Sequence, residues 1–92
     1  MICVNIVLQV KDAADVEKIR GLLSQQGRLS RAEPGCLRFE VHHSTADPTV
    51  FILNERWDVQ ASLDAHRAAL AQAAMAVHRH TLDAAERSHR LH

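Results

Sequence analysis

Residues 36–44 and 49–57 alternate between side chains of two kinds with a period of two, and only Thr45, Ala46, Asp47 and Pro48 separate them. A period of two marks a strand with one buried face, and so short a connection makes the two strands antiparallel neighbours. In the first, Leu37, Phe39 and Val41 share one face while Arg38, Glu40 and His42 share the other. In the second, Phe51, Leu53, Glu55 and Trp57 oppose Val50, Ile52, Asn54 and Arg56. Residues 2–10 (ICVNIVLQV) predict another strand, with Ile2, Val4, Ile6, Leu8 and Val10 on one parity and Cys3, Asn5, Val7 and Gln9 on the other. From 13 to 30 the period changes: Val16, Ile19, Leu22, Leu23 and Gln26 form a helical stripe, and Asp12 offers an oxygen to the free amides of the first turn. Glu33-Pro34-Gly35 ends that helix, because Pro34 disfavours helical geometry before it and Gly35 tolerates positive φ. Asp58 is expected to cap a second helix reaching about residue 80, with a stripe of Ala61, Leu63, Ala65, His66, Ala69, Leu70, Ala73, Met75 and Val77 and a kink near Ala69. Residues 84–92 alternate weakly and are read as a fourth, edge strand.

The order β-α-β-β-α-β is that of a ferredoxin-like split unit, an α+β fold with an antiparallel four-stranded sheet covered on one face by two helices. At 92 residues and 10.3 kDa the chain holds one domain, 1–92, which buries only about 60–65% of its unfolded surface. The uncovered sheet face is then best covered by a second copy, with Arg38, Glu40 and His42 pairing across a polar seam of a homodimer. Eleven Lys+Arg balance eleven Asp+Glu, nine of those cations being Arg, so the chain lacks the basic field that nucleic acid or anionic lipid selects. No apolar run approaches the ~18 residues of a spanning helix, and the N-terminus does not read as a signal peptide, so a cytoplasmic protein is expected. Cys3 and Cys36 read as two small buried thiols rather than a disulfide. Fourteen alanines, dense between Ala65 and Ala76, favour helix and close packing in the second half.

The stretch Glu33-Pro-Gly-Cys-Leu-Arg-Phe-Glu-Val-His42, followed by Asp47-Pro48, by Phe51-Ile-Leu-Asn-Glu-Arg-Trp57 and by Ala61-Ser-Leu-Asp-Ala-His66, resembles the antibiotic biosynthesis monooxygenase family of dimeric α+β barrel proteins. An E-P-G-C turn before the second strand, an E-x-W ending the third and, opening the last long helix, Leu63-x-x-His66, matching the L-x-x-H of the family's A-L-x-x-H pattern with Ser62 in place of its Ala, follow in the family's order. The resemblance implies a homodimer with a ligand cavity between each subunit's sheet and helices. It also implies oxidation of a small aromatic, a quinol or polyphenol, by O₂ without flavin or metal, the substrate's own anion donating the electron. The same frame is similar to haem-degrading monooxygenases, to isomerases and to proteins without an assigned reaction. Many relatives carry a second His about five residues after the first, where this chain has Ala71, which demotes a haem reading.

The protein's tasks in such a reaction are to hold a flat ring in a dry pocket, orient its anion and handle a proton. His66 is the candidate for the proton, set against a helix histidine that merely hydrogen-bonds a carbonyl. Asn5, a polar residue inside an apolar strand, is the candidate donor that orients the anion, and it matches an Asn on the first strand that contributes to the site in haem-degrading relatives. Trp57 and Phe51 are expected as apolar walls, set against simple core residues, while Asn54 and Glu55 complete the substrate site, with an ion pair across strands as the plainer role for Glu55. His66 and Asn5 line one cavity only if the parity of Cys3, Asn5 and Val7 faces the helices; if Ile2, Val4, Ile6 and Leu8 face them, Asn5 belongs to the dimer seam. No cofactor is expected, since no glycine-rich phosphate loop follows a strand. No metal is expected either: His42 and His43 point to opposite strand faces, and His78 and His80 diverge by about 200° on a helix. Two other functions remain: an isomerase using His66 and Glu55 as acid and base, and a non-enzymatic dimeric ligand-binding protein.

Overall fold

A computed structural model of the chain describes residues 1–82 and 85–90. The elements run β1 (Ile2–Gln9), a 3₁₀ turn (Ala13–Asp15), α1 (Val16–Arg31), β2 (Cys36–His43), β3 (Val50–Trp57), α2 (Gln60–His78) and β4 (Ala85–Arg90). The sheet is antiparallel throughout, in the order β2-β3-β1-β4, which is the ferredoxin-like α+β arrangement. The edge strand expected at the C-terminus is β4, paired with β1; residues 84, 91 and 92 of that expectation lie outside the described residues.

Local chemistry sets the boundaries. Asp12 Oδ1 accepts from the Ala14 amide at 2.9 Å, so the capping expected there serves the 3₁₀ turn, and α1 starts three residues later than the sequence suggests. Gly35 has φ +85°, the turn geometry expected of it, and its carbonyl accepts from Asp58 N at 2.9 Å. A Cβ at position 35 would collide with Ser62 Oγ and Asp58 Oδ1, so only glycine lets this turn press on the start of α2. Asp58 is not the N-cap; Val59 is, and Asp58 instead accepts from the Val59 amide at 2.7 Å. The hydroxyl of Ser62, and then that amide, hold the Asp58 carboxyl below its ordinary value of 3.8. α2 runs unbroken from Gln60 to His78.

The core fills the space between sheet and helices. Trp57, Phe39, Phe51, Ile19, Leu23 and Leu63 are fully buried there, joined by Ile2, Val4, Leu8, Val10, Leu53 and Val77. The expected burial fails at Leu37 in β2 and along part of the α2 stripe. Leu37 is 59% exposed because β2 carries a bulge between Cys36, which faces Trp57, and Arg38, which faces Arg56, leaving Leu37 as the extra residue turned outward. In α2 the buried line runs through Leu63, His66 and Val77, and other members of the expected stripe fall off it: Met75 is 59% exposed, and Ala61, Ala65, Ala69 and Ala73 are exposed as well. Among the described residues no helix is long and apolar enough to cross a membrane.

Candidate functional site

The buried line of α2 meets the sheet near its two ends, at Leu63 and His66 and again at Val77, while Leu70 and Ala74 between them are only half-buried. Between α2, α1 and the strands β1 and β3 lies a cavity of about 520 Å³, walled mainly by Val4, Ile6, Leu8, Leu23, Leu53 and Leu70. That size falls in the ~300–1,000 Å³ range of small-molecule sites. Ile6, on the helix-facing side of β1, is half-buried for this reason.

His66 is 2% exposed and lines this cavity with Glu55. Its Nδ1 lies 3.0 Å from Glu33 Oε2. A carboxylate can only accept, so Nδ1–H donates, and in the neutral ring Nε2 keeps its lone pair. Nε2 lies 3.7 Å from Glu55 Oε1, too far for a hydrogen bond and near enough for a charge on the ring to be felt. The Trp57 ring covers His66 at 4.5 Å between centroids, Phe39 abuts it at 5.7 Å, and Trp57 Nε1–H donates to Glu55 Oε1 at 3.1 Å. The histidine is therefore clamped by a carboxylate at one nitrogen and by aromatic rings at its faces, with a second carboxylate beside the other nitrogen. A base whose tautomer is fixed and whose free nitrogen lies at a largely apolar cavity is suited to taking a proton from a bound ligand.

Cys36 sits near the same carboxylates. Burial, then Glu55, with Glu33 adding to it, pushes its thiol above the ordinary 9.0, so it stays protonated and a poor nucleophile at neutral pH. Both cysteines are free thiols, Cys3 buried and Cys36 half-buried.

Of the residues picked from the sequence, His66 and Glu55 come together at the cavity. Trp57 stands behind them, packed at a tilt of 35° against His66 and bonded to Glu55 rather than forming the cavity wall. Phe51 is buried elsewhere in the core, where it stacks on His43 at 4.3 Å. Asn5 and Asn54 are cross-strand partners on the opposite face of the sheet, because Val4, Ile6, Leu53 and Glu55 beside them in sequence point into the cavity. The parity that puts Asn5 at the open face is thus the observed one, and Asn5 does not share a cavity with His66. Ala71 is exposed and does not line the cavity. Glu33 was legible only as part of a turn; nothing local signals its bond to a residue 33 positions away. Among the described residues no three His, Cys, Asp or Glu side chains gather as a metal site.

A family model described as antibiotic biosynthesis monooxygenase matches residues 1–84. No curated protein matches the chain. Among solved structures it is similar to a candidate antibiotic biosynthesis monooxygenase from Deinococcus radiodurans, at 24% identity and a TM-score of 0.92 over 100% of this chain and 93% of the other. It is similar also to a second such candidate from Nitrosomonas europaea, at 22% identity and a TM-score of 0.89 over 98% and 97% of the two chains. A variant of SnoaB, a cofactor-independent oxygenase from Streptomyces nogalater, aligns at 10% identity with a TM-score of 0.85 over 98% and 91%. At these identities what is shared is the fold.

Proposed function

The chain belongs to the antibiotic biosynthesis monooxygenase family, and from that premise we propose that it oxidises a small aromatic, a quinol or polyphenol, with O₂ and without flavin, haem or metal. The observation that carries this reading is His66: buried at the cavity, with Nδ1–H held by Glu33 and the Nε2 lone pair available. Nε2 takes a phenolic proton, and the positive charge formed lies beside the carboxylates of Glu33 and Glu55. The ligand anion then gives an electron to O₂, and recombination places one oxygen atom on the ring while the other leaves as water. For a hydroquinone the balance is quinol plus O₂ to hydroxyquinone plus water. The apolar walls keep bulk water from the anion.

The working unit of this proposal is a homodimer joined through the open sheet face, in the cytoplasm, a compartment suited to two free thiols. On that face Val7 and Ile52 are cross-strand partners, 42% and 39% exposed, which makes an apolar centre flanked by polar residues. Arg38 and Arg56 lie opposite each other there, a like-charge pair that gains from a carboxylate such as Glu40 supplied by a second copy.

The test is oxygen uptake with a panel of hydroquinones, against His66→Ala. Uptake of one O₂ per quinol, falling at least ~100-fold in a folded His66→Ala protein, supports the reading. No uptake above the uncatalysed rate with any quinol, or an unchanged rate in the variant, removes it and favours proton transfer by His66 and Glu55 without O₂.

A further inference from the structure

The proposed chemistry leaves Gln26 without a task. It is 8% exposed on the inner side of α1, and it lines the same cavity as His66 and Glu55. Its one polar neighbour a turn on, Ser30, is already committed, with its hydroxyl donating at 2.6 Å to the backbone carbonyl of Gln26. Among the described residues nothing donates to Gln26 Oε1. A buried amide oxygen without a donor is unfavourable, and a leucine at this place in the apolar stripe of Ile19 and Leu23 would carry no such penalty. A polar group kept at a cavity wall with no protein partner is accounted for by a partner that arrives with the ligand.

We propose that Gln26 is a substrate-binding residue whose carboxamide hydrogen-bonds a hydroxyl of the ligand, so that the cavity selects aromatics bearing a second hydroxyl besides the one that faces His66. The inference rests on the reading of the cavity as an aromatic site. A hydroxyl suits the position better than an ether because it can donate to Oε1, and it can equally accept from Nε2 if the carboxamide is turned over. Arg67, His78 and Thr81 also line the cavity, but most of its lining is aliphatic, which suits a ring as the part of the ligand that joins Gln26 to His66. The site thereby discriminates by an unpaired buried polar group, which rejects an analogue lacking the hydroxyl more strongly than shape alone does.

The test is anaerobic calorimetric titration of the purified protein with 1,4-dihydroxynaphthalene and with 4-methoxy-1-naphthol, which keeps the ring and one hydroxyl and loses the second donor. The wild type is expected to prefer the diol by about 10-fold or more. In Gln26→Leu the preference falls to within about 2-fold, by loss of affinity for the diol and not for the ether. Gln26→Met repeats the comparison if the leucine variant does not fold. Equal affinities in the wild type, no binding of either compound, or a wild-type preference retained in a folded variant each overturn the proposal. Because binding is read without oxygen, a Gln26-dependent preference in a protein that consumes no O₂ in air sinks the monooxygenase reading alone. Quinol turnover without that preference sinks the role of Gln26 alone.

Discussion

Glu33→Ala isolates the clamp on His66. The bond removed is a 3.0 Å charge-assisted hydrogen bond between a side chain 3% exposed and one 25% exposed. Hydrogen bonds to charged groups contribute ~1.5–3 kcal/mol, and the partial exposure of Glu33 puts this one at the lower end, about 1.5 kcal/mol. In a domain of this size that lowers Tm by about 6–12 °C. The more specific consequence concerns the ring. With Glu33 gone, the carboxylate left beside the imidazole is Glu55, 3.7 Å from Nε2, and the proton of the neutral ring is drawn to that nitrogen. Long-range ¹H–¹⁵N correlation of the imidazole nitrogens should find Nδ1–H in the wild type and a shift toward Nε2–H in the variant. The base is then blocked, and quinol turnover falls by ~10–100-fold, a part of the 10²–10⁴ that an oriented base supplies. Glu33→Gln retains an acceptor oxygen and should keep Nδ1–H with a smaller loss of stability. An Nε2–H tautomer in the wild-type protein, or turnover unchanged in Glu33→Ala, would refute the clamp.

Gly35→Ala should cost at least ~2 kcal/mol, since a positive φ alone costs an alanine ~1–2 and its Cβ also meets Ser62 and Asp58. Gly21→Ala, in an exposed turn of α1 where a Cβ meets nothing within 4 Å, should instead stabilise by ~0.5–1 kcal/mol, and urea melts compare the two. Asp47 and Asp58 have carboxyls held below 3.8, by the Thr49 hydroxyl and by the Ser62 hydroxyl respectively. Depressed folded values mean that their contribution is complete above pH 3.8 and is lost as pH falls through the lower folded values; Asp47→Asn with Asp58→Asn should flatten that acid limb in urea titrations. Equilibrium sedimentation at micromolar concentration should find a dimer dependent on the open face, and a species of one chain's mass, 10.3 kDa, counts against it.

The strands and helices were legible because each carries its period: two residues in β1, β2 and β3, three to four in α1. Departures came where a local event breaks the period. The bulge at Leu37 shifts one residue of β2 outward, and no pattern of polarity announces it. In α2 the many alanines hide which side is buried, so the stripe read from the sequence mixes the buried Leu63, His66 and Val77 with the exposed Ala61, Ala65, Ala69, Ala73 and Met75. The misplacement of Asn5 has a different origin. The more apolar parity of β1 already pointed its Ile2, Val4, Ile6 and Leu8 at the helices; pairing Asn5 with His66 required the other parity, against the pattern. His66 and Glu55 were legible as chemistry-bearing residues, whereas the bond from Glu33 and the solitude of Gln26 exist only once the chain is folded.

Alanine in the second half favours close packing of a helix against a neighbour, yet along the middle of α2 it leaves a gap over the sheet. The helix is held near one end by Leu63, His66 and the Gly35 turn pressed on Ser62, and near the other by Val77 and by Thr81, whose hydroxyl donates to the Val77 carbonyl at 3.2 Å. Between those anchors Leu70 and Ala74 face a sheet they do not reach, and a short side chain at 74 leaves the volume that a larger one would occupy. Ala costs nothing in helix propensity, so the helix keeps its continuity while its packing in the middle is given up. The division of labour follows from that geometry. Where α2 is clamped, Glu33, Trp57 and Glu55 hold His66 in one orientation, as a proton-transfer group requires. Where α2 stands away, a mainly aliphatic lining and the unpaired Oε1 of Gln26 leave the room in which the proposed ligand would set its ring and hydroxyl.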